Sequence, residues 1–342
     1  MDLGFEAAKG ASEKVLGVRF PILMRVILPG LQATAVLYPS VAWILHYLPA
    51  EPERLWERIA ACAVLVFPLG ALISTTNSEI YKIYEGRIFW PPRLFEWART
   101  RQQARVDRLV KAAKSAKAQG RNAQYNELWY QLRIYPVNGE GKPEATHPTR
   151  IGNILAGYEQ YPNTRYGMDS VFYWPRIWMQ IGKDQKEEID GQWSVADGFL
   201  TLSAIAYAGG IVWMLQSLAA VFGFGMSLLP LGSPGLAALG GVAWLAPGFL
   251  WYRLSLPFHR ENGEVFKSIF DIYRHKVWKL TSLKPREKEV WDATWSYLQY
   301  LQLKCPNCPA WPTAAADKCH NCGFGLLELK NTLRDTGRFP SE

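Results

Sequence analysis

Cysteine is the residue type whose spacing says most about chemistry in this chain. Of five cysteines, four fall within 18 residues near the C-terminus, as Cys305-Pro-Asn-Cys308 and Cys319-His-Asn-Cys322, with ten residues between the pairs. Each tight turn lets two thiolates point at one ion, and two such turns complete a tetrahedral sulfur site. This spacing predicts zinc as the cofactor, with a redox dithiol pair or an iron site as the alternatives. A closed four-thiolate site predicts a structural role, here as a small zinc ribbon or knuckle pair.

A second group of polar residues lies between positions 147 and 176. Its arginines could converge on one aspartate through bidentate ion pairs. One interpretation is a site for an anionic ligand such as a nucleotide phosphate, and the other is a structural polar network. Thr149 or Pro148 is the predicted cap of a helix from Ile151 to Gln160. The candidate residues are Arg150, Asn153, Arg165, Asp169 and Arg176.

Motifs of catalysis are missing from the sequence. It contains no Walker-type phosphate loop, no G-x-S-x-G elbow and no H-E-x-x-H. The five histidines are scattered, and no two have metal-ligand spacing. The sequence therefore predicts that the protein is not an enzyme.

Long stretches without charge separate these polar segments. No Asp, Glu, Lys or Arg occurs in the 55 residues between Asp197 and Arg253, in Val26–Ala50 or in Ile59–Ser78. About 20 apolar residues in a helix span a bilayer. These stretches predict a mainly α-helical membrane protein with four transmembrane helices, a helical cytoplasmic domain and the zinc ribbon. The predicted spans run from about Ile22 or Val26 to Leu48, Ile59 to Thr76, Phe199 to Phe222 and Gly235 to Trp251.

The distribution of charge predicts how the chain sits in the bilayer. The net charge is +8, and Lys and Arg are concentrated between the second and third spans and after the fourth. Loops rich in Lys and Arg stay in the cytoplasm, so both termini are predicted to be cytoplasmic. The spans themselves are predicted to contain no buried charge, which argues against an ion-coupled transporter. Nucleic acid is a possible partner of the basic surface but is not favoured.

The predicted organisation follows from these spans. Within the insert, Phe95–Gln119 and Asn122–Ile134 have the apolar spacing of two helices and predict an antiparallel hairpin. Glu264–Leu280 and Pro285–Leu303 are predicted as further helices. The predicted segments are 1–78 (amphipathic start and two spans), 79–197 (basic insert), 198–254 (two spans), 255–303 (cytoplasmic helices) and 304–342 (zinc ribbon and tail).

Small polar residues and prolines in the spans are the candidates for a pore. Hydroxyl and amide groups can line a lumen without a ring of charge, and prolines can bend the helices around it. The predicted pore or hinge residues are Pro29, Pro68, Thr34, Ser40, Ser74 and Gln216.

Three short phrases resemble a bacterial family of multi-pass inner-membrane proteins of uncharacterised function. They are Pro148-Thr-Arg-Ile-Gly-Asn153, Tyr161-Pro-Asn-Thr-Arg-Tyr-Gly-Met-Asp169 and Trp174-Pro-Arg176, with Glu85-Gly86 and Trp90-Pro91 matching an earlier motif. The resemblance implies a location in the bacterial inner membrane. The layout is also similar to membrane effectors of anti-phage systems, in which a cytoplasmic domain senses a nucleotide-type signal and opens a pore.

Two functions are predicted from these features. The first is a homo-oligomeric pore in the lipid bilayer, gated by its cytoplasmic domain in response to a nucleotide-type signal, with anti-phage defence as the predicted role. The second is a membrane-anchored module whose zinc ribbon and basic helices recruit a cytoplasmic protein or a nucleic acid.

Overall fold

The computed structural model describes residues 19–46, 55–222, 233–277, 305, 308 and 316–326, without the side chains of 39–46, 55–62 and 275. The described part is mainly α-helical, and its only strand-like pairings are isolated bridges between Val137 and Pro143 and between Lys318 and Gly325. In chain order the helices are α1 (Phe20–Ile22, a π-helical turn Leu23–Ile27, and Leu28–His46), α2 (Leu55–Thr75), α3 (Asn77–Glu85), α4 (Pro92–Ala118), α5 (Asn122–Leu132), α6 (Arg150–Tyr166), α7 (Ser170–Gln180), α8 (Lys183–Val221) and α9 (Pro234–Val277).

Three of these helices are long and apolar enough to cross a membrane. They are the stretches Phe20–Tyr38, Lys183–Val221 and Pro234–Arg274. A fourth candidate is the pair Ala63–Thr75 and Asn77–Glu85, which is bent by 53° at the break between α2 and α3. The described residues thus contain three candidate spans, or four if the bent pair is one span.

The two longest helices extend well beyond the predicted spans. Helix α8 has 39 residues and α9 has 44. At 1.5 Å per residue they measure roughly 58 and 66 Å, about twice the hydrocarbon thickness of a bilayer. The predicted span Gly235–Trp251 and the predicted helix from Glu264 are not separate helices, because α9 continues without a break through Pro257. Packing against neighbouring helices outweighs the one backbone hydrogen bond that this proline removes.

The chain divides into two compact units. The first comprises Met1–Trp90 and Glu187–Asn262, and the second comprises Pro91–Lys186 and Gly263–Glu342. Helices α1, α2 and α3 belong to the first unit, with residues 187–221 and 234–262. Helices α4 to α7 belong to the second, with residues 263–277 and the described part of the cysteine region.

Close approach at glycines packs the helices of the first unit. A Cβ added at Gly30 would lie 1.9 Å from the Val66 carbonyl oxygen, and one added at Gly70 would lie 1.9 Å from that of Val26. The two positions face each other across α1 and α2. Small residues at helix crossings are typical of membrane proteins, where backbones gain van der Waals contact by approaching closely.

Large apolar side chains cover much of the outer surface of the first unit. On α8 they recur every three or four residues, which places them on one face of the helix. Exposed examples are Val64, Phe67, Leu72, Ile211, Leu215, Leu218, Leu236, Leu239, Val242 and Phe249. An apolar surface of this extent is unusual on a soluble monomer and fits contact with lipid.

The second unit contains the predicted helical hairpin. Helices α4 and α5 confirm the two predicted helices, and Val106, Ala113 and Leu132 form their buried core with Tyr135 and Ala145 from the following loop. The Gln103 side chain accepts a hydrogen bond from the Ala145 backbone N–H at 2.8 Å. This bond fastens the loop to the hairpin.

An aromatic cluster forms another part of the second unit. The Trp174 ring on α7 stacks on Phe266 of α9, with centroids 4.7 Å apart, and Tyr158 of α6 contacts the same phenylalanine. A Cβ at Gly263 would lie 2.8 Å from the Tyr158 ring, so α6 and α9 approach closely here. Aromatic stacking therefore holds α6, α7 and the end of α9 together.

Candidate metal centre and polar sites

The four C-terminal cysteines converge. One sulfur from each of Cys305, Cys308, Cys319 and Cys322 lies within 4.8 Å of the other three, and Cys305 and Cys319 are buried. The Cys305–Cys322 and Cys308–Cys319 sulfur distances are both 3.5 Å. In a tetrahedral site with metal–sulfur bonds of about 2.3 Å, sulfurs are roughly 3.8 Å apart. The arrangement can therefore hold one metal ion, and each close pair joins a cysteine of the first turn to one of the second.

The backbone around the second cysteine pair is a tight hairpin. The Cys319 N–H donates to the Phe324 carbonyl at 2.8 Å, and the Gly323 N–H donates to the Cys319 carbonyl at 2.8 Å. Gly323 has a φ of +73°, which a residue with a Cβ adopts only with strain. Leu326, fully buried, closes the turn through a hydrogen bond from its N–H to the Asp317 carbonyl. The glycine after Cys322 is thus required by the turn that aims two thiols at one point.

The predicted anionic site consists of residues that make local contacts. The buried Asn153 side chain accepts from the N–H groups of Thr146 and His147 and donates to the carbonyls of His147 and Thr149. Thr149 accepts from the Gly152 N–H, which confirms it as the cap of α6. These bonds fix the turn that begins the helix.

The remaining predicted residues lie along α6 and α7. Asp169 caps α7 by accepting from the Phe172 N–H at 2.7 Å. Arg176 donates to the Phe172 carbonyl at 2.6 Å, and its guanidinium lies 3.8 Å from the centre of that ring. Arg150 is half-buried at the start of α6, and Arg165 is exposed near its end. The contacts of Asn153, Asp169 and Arg176 are those of a structural network, and a shared ligand site for all five residues stays a prediction.

The predicted pore residues are distributed over different environments. Thr34 is buried and donates to the Gly30 carbonyl, and Ser74 donates to the Ala71 carbonyl, both within their own helices. Pro29 is buried, Pro68 is exposed within α2, and Gln216 is partly buried on α8. The side chain of Ser40 lies outside the described residues.

The first unit contains a charged cluster that was not predicted from the sequence. Arg25, in the π-helical turn of α1, donates to Asp190 at 2.7 Å and to Asp197 at 2.8 Å, both on α8. Asp197 also accepts from the Tyr81 hydroxyl of α3 at 2.6 Å. The prediction that the spans contain no charge overlooked Arg25, because the candidate span begins at Phe20. The two aspartates are seven residues apart, hence on one face of α8, and this spacing was the available signal.

A second polar cluster lies in the second unit around Asp271. The hydroxyls of Tyr161 and Tyr166 donate to its carboxylate at 3.0 and 2.6 Å. Burial, and then the hydrogen bond to Asp271, raise the pKa of Tyr166 above its ordinary value, and burial also raises the pKa of Tyr161. Both phenols therefore keep their protons and act as donors that anchor α6 to α9.

Comparison with known proteins gives no relative from which a role for these clusters could be transferred. No protein-family model, no curated protein and no solved structure matches the chain. The resemblance of residues 85–91 and 148–176 to a bacterial inner-membrane family, like the similarity to anti-phage effectors, stays a prediction. What the site offers by itself is a four-thiol cluster able to hold a metal ion, in a chain with helices able to cross a membrane.

Proposed function

We propose that this chain is a multi-pass membrane protein with four spans, the bent pair α2–α3 being one of them, and that it acts as a membrane-anchored binding module. The observation that carries the proposal is that polar side chains of the candidate spans form hydrogen bonds between helices. Gln32, Ser203 and Trp213 each donate to a backbone carbonyl of another helix. Polar groups used in this way join the helices into an anchor, since lipid offers them no other partner.

The proposed location is a bacterial inner membrane, with both termini and the basic insert in the cytoplasm. The exposed apolar faces of α8 and α9 supply the surface that lipid would cover. Helix α4 supports the orientation because cationic residues recur along its whole length, and such segments are retained on the cytoplasmic side.

Zinc is the proposed ion of the four-cysteine cluster, and its role is structural. Thiolates in a tetrahedral arrangement favour zinc over harder cations, and four protein ligands leave no position for a substrate. The ion would then fix the turns at Cys305–Cys308 and Cys319–Cys322 relative to each other.

The membrane anchor is tested by extraction and by topology mapping. The full chain, expressed in bacteria, should stay in the membrane pellet after an alkaline carbonate wash and enter the supernatant only with detergent. Reporter fusions should show cytoplasmic positions after Glu342 and within the loop 137–144, and an external position between 47 and 54. Release of the protein by carbonate would refute the membrane anchor. An external location of the insert would refute the orientation.

A pore is the second candidate function, and the break between α2 and α3 favours it. Thr75 and Thr76 are exposed at this 53° bend, and interrupted helices are typical of membrane proteins with a conducting path. Several copies would have to surround that path, with a nucleotide-type signal as the proposed trigger.

Ion flux from vesicles separates the two functions. If the protein is an anchor, potassium-loaded vesicles that contain the purified protein should release no more potassium than potassium-loaded vesicles without protein. This should hold with or without added nucleotide. A flux that falls when Thr75→Leu and Thr76→Leu are combined, and persists in a Thr100→Leu control on α4, would establish the pore and overturn the anchor.

A further inference from the structure

A cleft of about 900 Å³ lies in the second unit, between the α4–α5 hairpin and the loop that follows it. Ligand sites for small molecules typically measure 300 to 1,000 Å³. The cleft has walls from three chain segments: one face of α4, one face of α5, and residues 138–144. Its size and its concave form suit a small molecule better than a flat macromolecular contact.

Cationic side chains dominate the charged part of the cleft. Lys111, Lys114 and Lys117 follow one another at three-residue spacing on α4, and Lys142 faces the cleft from the loop. Arg99 completes the five cations, of which it and Lys142 already have glutamate partners, Glu96 and Glu140. The cleft is also lined by two acidic residues, Asp107 and Glu144.

The three lysines of α4 are the groups available to an anion. Within the described part of the chain, Lys111 and Lys114 are exposed and have no carboxylate partner. Asp107, the nearest acid on the same helix face, accepts a hydrogen bond from Gln103 at 2.9 Å. Three ammonium groups spaced along one helical face are suited to a chain of phosphates, since each presents a rotatable set of donors.

Aromatic rings form the opposite wall. Tyr125 and Trp129 lie one turn apart on α5 with centroids 6.2 Å apart, and the Trp129 residue is 39% exposed. Lys117 lies over the Tyr125 ring at 5.6 Å, so the cationic and aromatic walls meet. Exposed aromatic faces next to cations are the combination with which proteins hold nucleobases and phosphates together.

The loop wall is closed by hydrogen bonds of its own. The Asn138 side chain accepts from the backbone N–H groups of Glu140 and Lys142, both at 3.0 Å, and the Asn138 N–H donates to the Lys142 carbonyl. Gly141 takes a φ of +74° that this turn requires. A wall fixed by its own hydrogen bonds lowers the entropy cost of binding.

We propose that this cleft binds a nucleotide, with its base against Trp129 and Tyr125 and its phosphates on Lys111, Lys114 and Lys117. The inference deepens the proposed binding role, and it rests on that proposal only in placing the second unit in the cytoplasm. A bare polyphosphate would leave the aromatic wall unused. A nucleic-acid strand would have to leave most of its length outside the cleft.

Calorimetric titration of the full chain in detergent at low salt tests the proposal, with ATP, GTP, UTP and tripolyphosphate as probes. At least one nucleoside triphosphate should bind with a Kd below 100 μM, on the order of an ordinary small-ligand affinity. Tripolyphosphate should bind at least tenfold more weakly. Lack of binding at 1 mM for all three nucleotides, or equal affinity for tripolyphosphate, would overturn the proposal.

Matched variants test whether the lysine wall binds the phosphates and the aromatic wall binds the base. Lys114→Gln should weaken nucleotide binding about tenfold, whereas Arg108→Gln removes the same charge from an exposed α4 position outside the cleft and should change it less than twofold. Trp129→Leu should weaken nucleotide but not tripolyphosphate binding, and the neighbouring exposed Tyr130→Leu should affect neither.

Three further results would contradict the assignment. Equal effects of Lys114→Gln and Arg108→Gln would mean a diffuse surface attraction. Tighter binding of a 12-nucleotide oligomer than of any mononucleotide would mean a nucleic-acid groove. Displacement of bound nucleotide by phosphatidylglycerol at equal phosphate concentration would mean a site for lipid headgroups. Because membrane integration is measured separately by carbonate extraction, absence of nucleotide binding would not contradict the proposed membrane anchor.

Discussion

The crossing of α1 and α2 provides the sharpest test of the helix packing. A Cβ at Gly30 would lie 1.9 Å from the carbonyl oxygen of Val66, whereas a carbon and a carbonyl oxygen in contact lie about 3.3 Å or more apart. Gly30→Ala therefore forces the helices apart by about 1.4 Å. Gly70→Ala creates the reciprocal clash with the Val26 carbonyl, also at 1.9 Å.

The expected cost follows from the atoms involved. Overpacking of a core costs about 1 to 3 kcal/mol, and the upper value applies here because a backbone carbonyl cannot change rotamer. Alanine regains up to about 1 kcal/mol of helix propensity, which leaves a net loss of about 2 kcal/mol for either Gly30→Ala or Gly70→Ala. In a chain of 342 residues the loss corresponds to a decrease in Tm of roughly 3 °C.

Thermal unfolding of purified protein in one detergent measures the effect. Gly235→Ala is the control, since that glycine is also in a candidate membrane span but has nothing within 4 Å of an added Cβ. Its Tm should stay the same or rise slightly. The double variant Gly30→Ala/Gly70→Ala should lose less than the sum of the single losses, because one displacement relieves both clashes. Single variants as stable as Gly235→Ala would refute the close approach of α1 and α2.

Three other perturbations address the polar clusters. Asp197→Asn removes one of the two carboxylates that hold Arg25 and should lower the free energy of unfolding in detergent by roughly 1.5 to 3 kcal/mol. The control Glu188→Gln, at an exposed position of the same helix, should have almost no effect. Equal Tm values for the two variants would contradict the ion pair. Cys319→Ser should lower bound zinc, measured by elemental analysis, from about one ion per chain to near none, and full retention would exclude the four-cysteine site. Because the pKa of Tyr166 is raised on folding, the contribution of this phenol to stability should be constant below pH ~10 and fall above it. Tyr166→Phe should therefore reduce the decrease of Tm at alkaline pH, and an unchanged decrease would contradict the buried phenol.

Features that depend on short-range spacing could be predicted from the sequence. The pairs Cys305–Cys308 and Cys319–Cys322 predicted a cluster of four sulfurs because the turn that joins two cysteines at this spacing is local. The N-cap at Thr149 followed for the same reason. The hairpin of α4 and α5 was predictable because its apolar residues recur at helical spacing and Gly120, with a φ of +67°, ends the first helix.

Contacts between distant segments could not be predicted. Asp190 and Asp197 are 165 and 172 residues from Arg25 in the chain, and one sequence contains no information on such a pairing. Their charges instead led to a predicted span that begins only at Phe199. The helix in fact begins at Lys183, and its first turns carry both aspartates that pair with Arg25.

Proximity in sequence was also an unreliable guide to a shared site. Arg165 and Asp169 are four residues apart, but Gly167, with a φ of +73°, ends α6 between them. Asp169 then serves as the cap of the next helix. The basic cleft was not recognised from sequence because it combines Lys114 with Trp129, and only the turn of the hairpin brings these residues to the same cavity.

The choice between an anchor and a pore depends on which polar groups remain for water. The Thr34, Ser74 and Ser203 hydroxyls donate to backbone carbonyls, so they offer a lumen only their remaining acceptor capacity. The outer faces of α8 and α9 present apolar side chains such as Leu215 and Leu239, which a water-filled path would leave unfavourably hydrated. The Thr75 and Thr76 hydroxyls also donate to backbone carbonyls, those of Leu72 and Ile73, but these two threonines are exposed. Among the described spans, the α2–α3 break is therefore where a pore built from several copies would find polar side chains on the outer surface. Leucine at Thr75 and Thr76 should then abolish conduction while leaving an anchor intact.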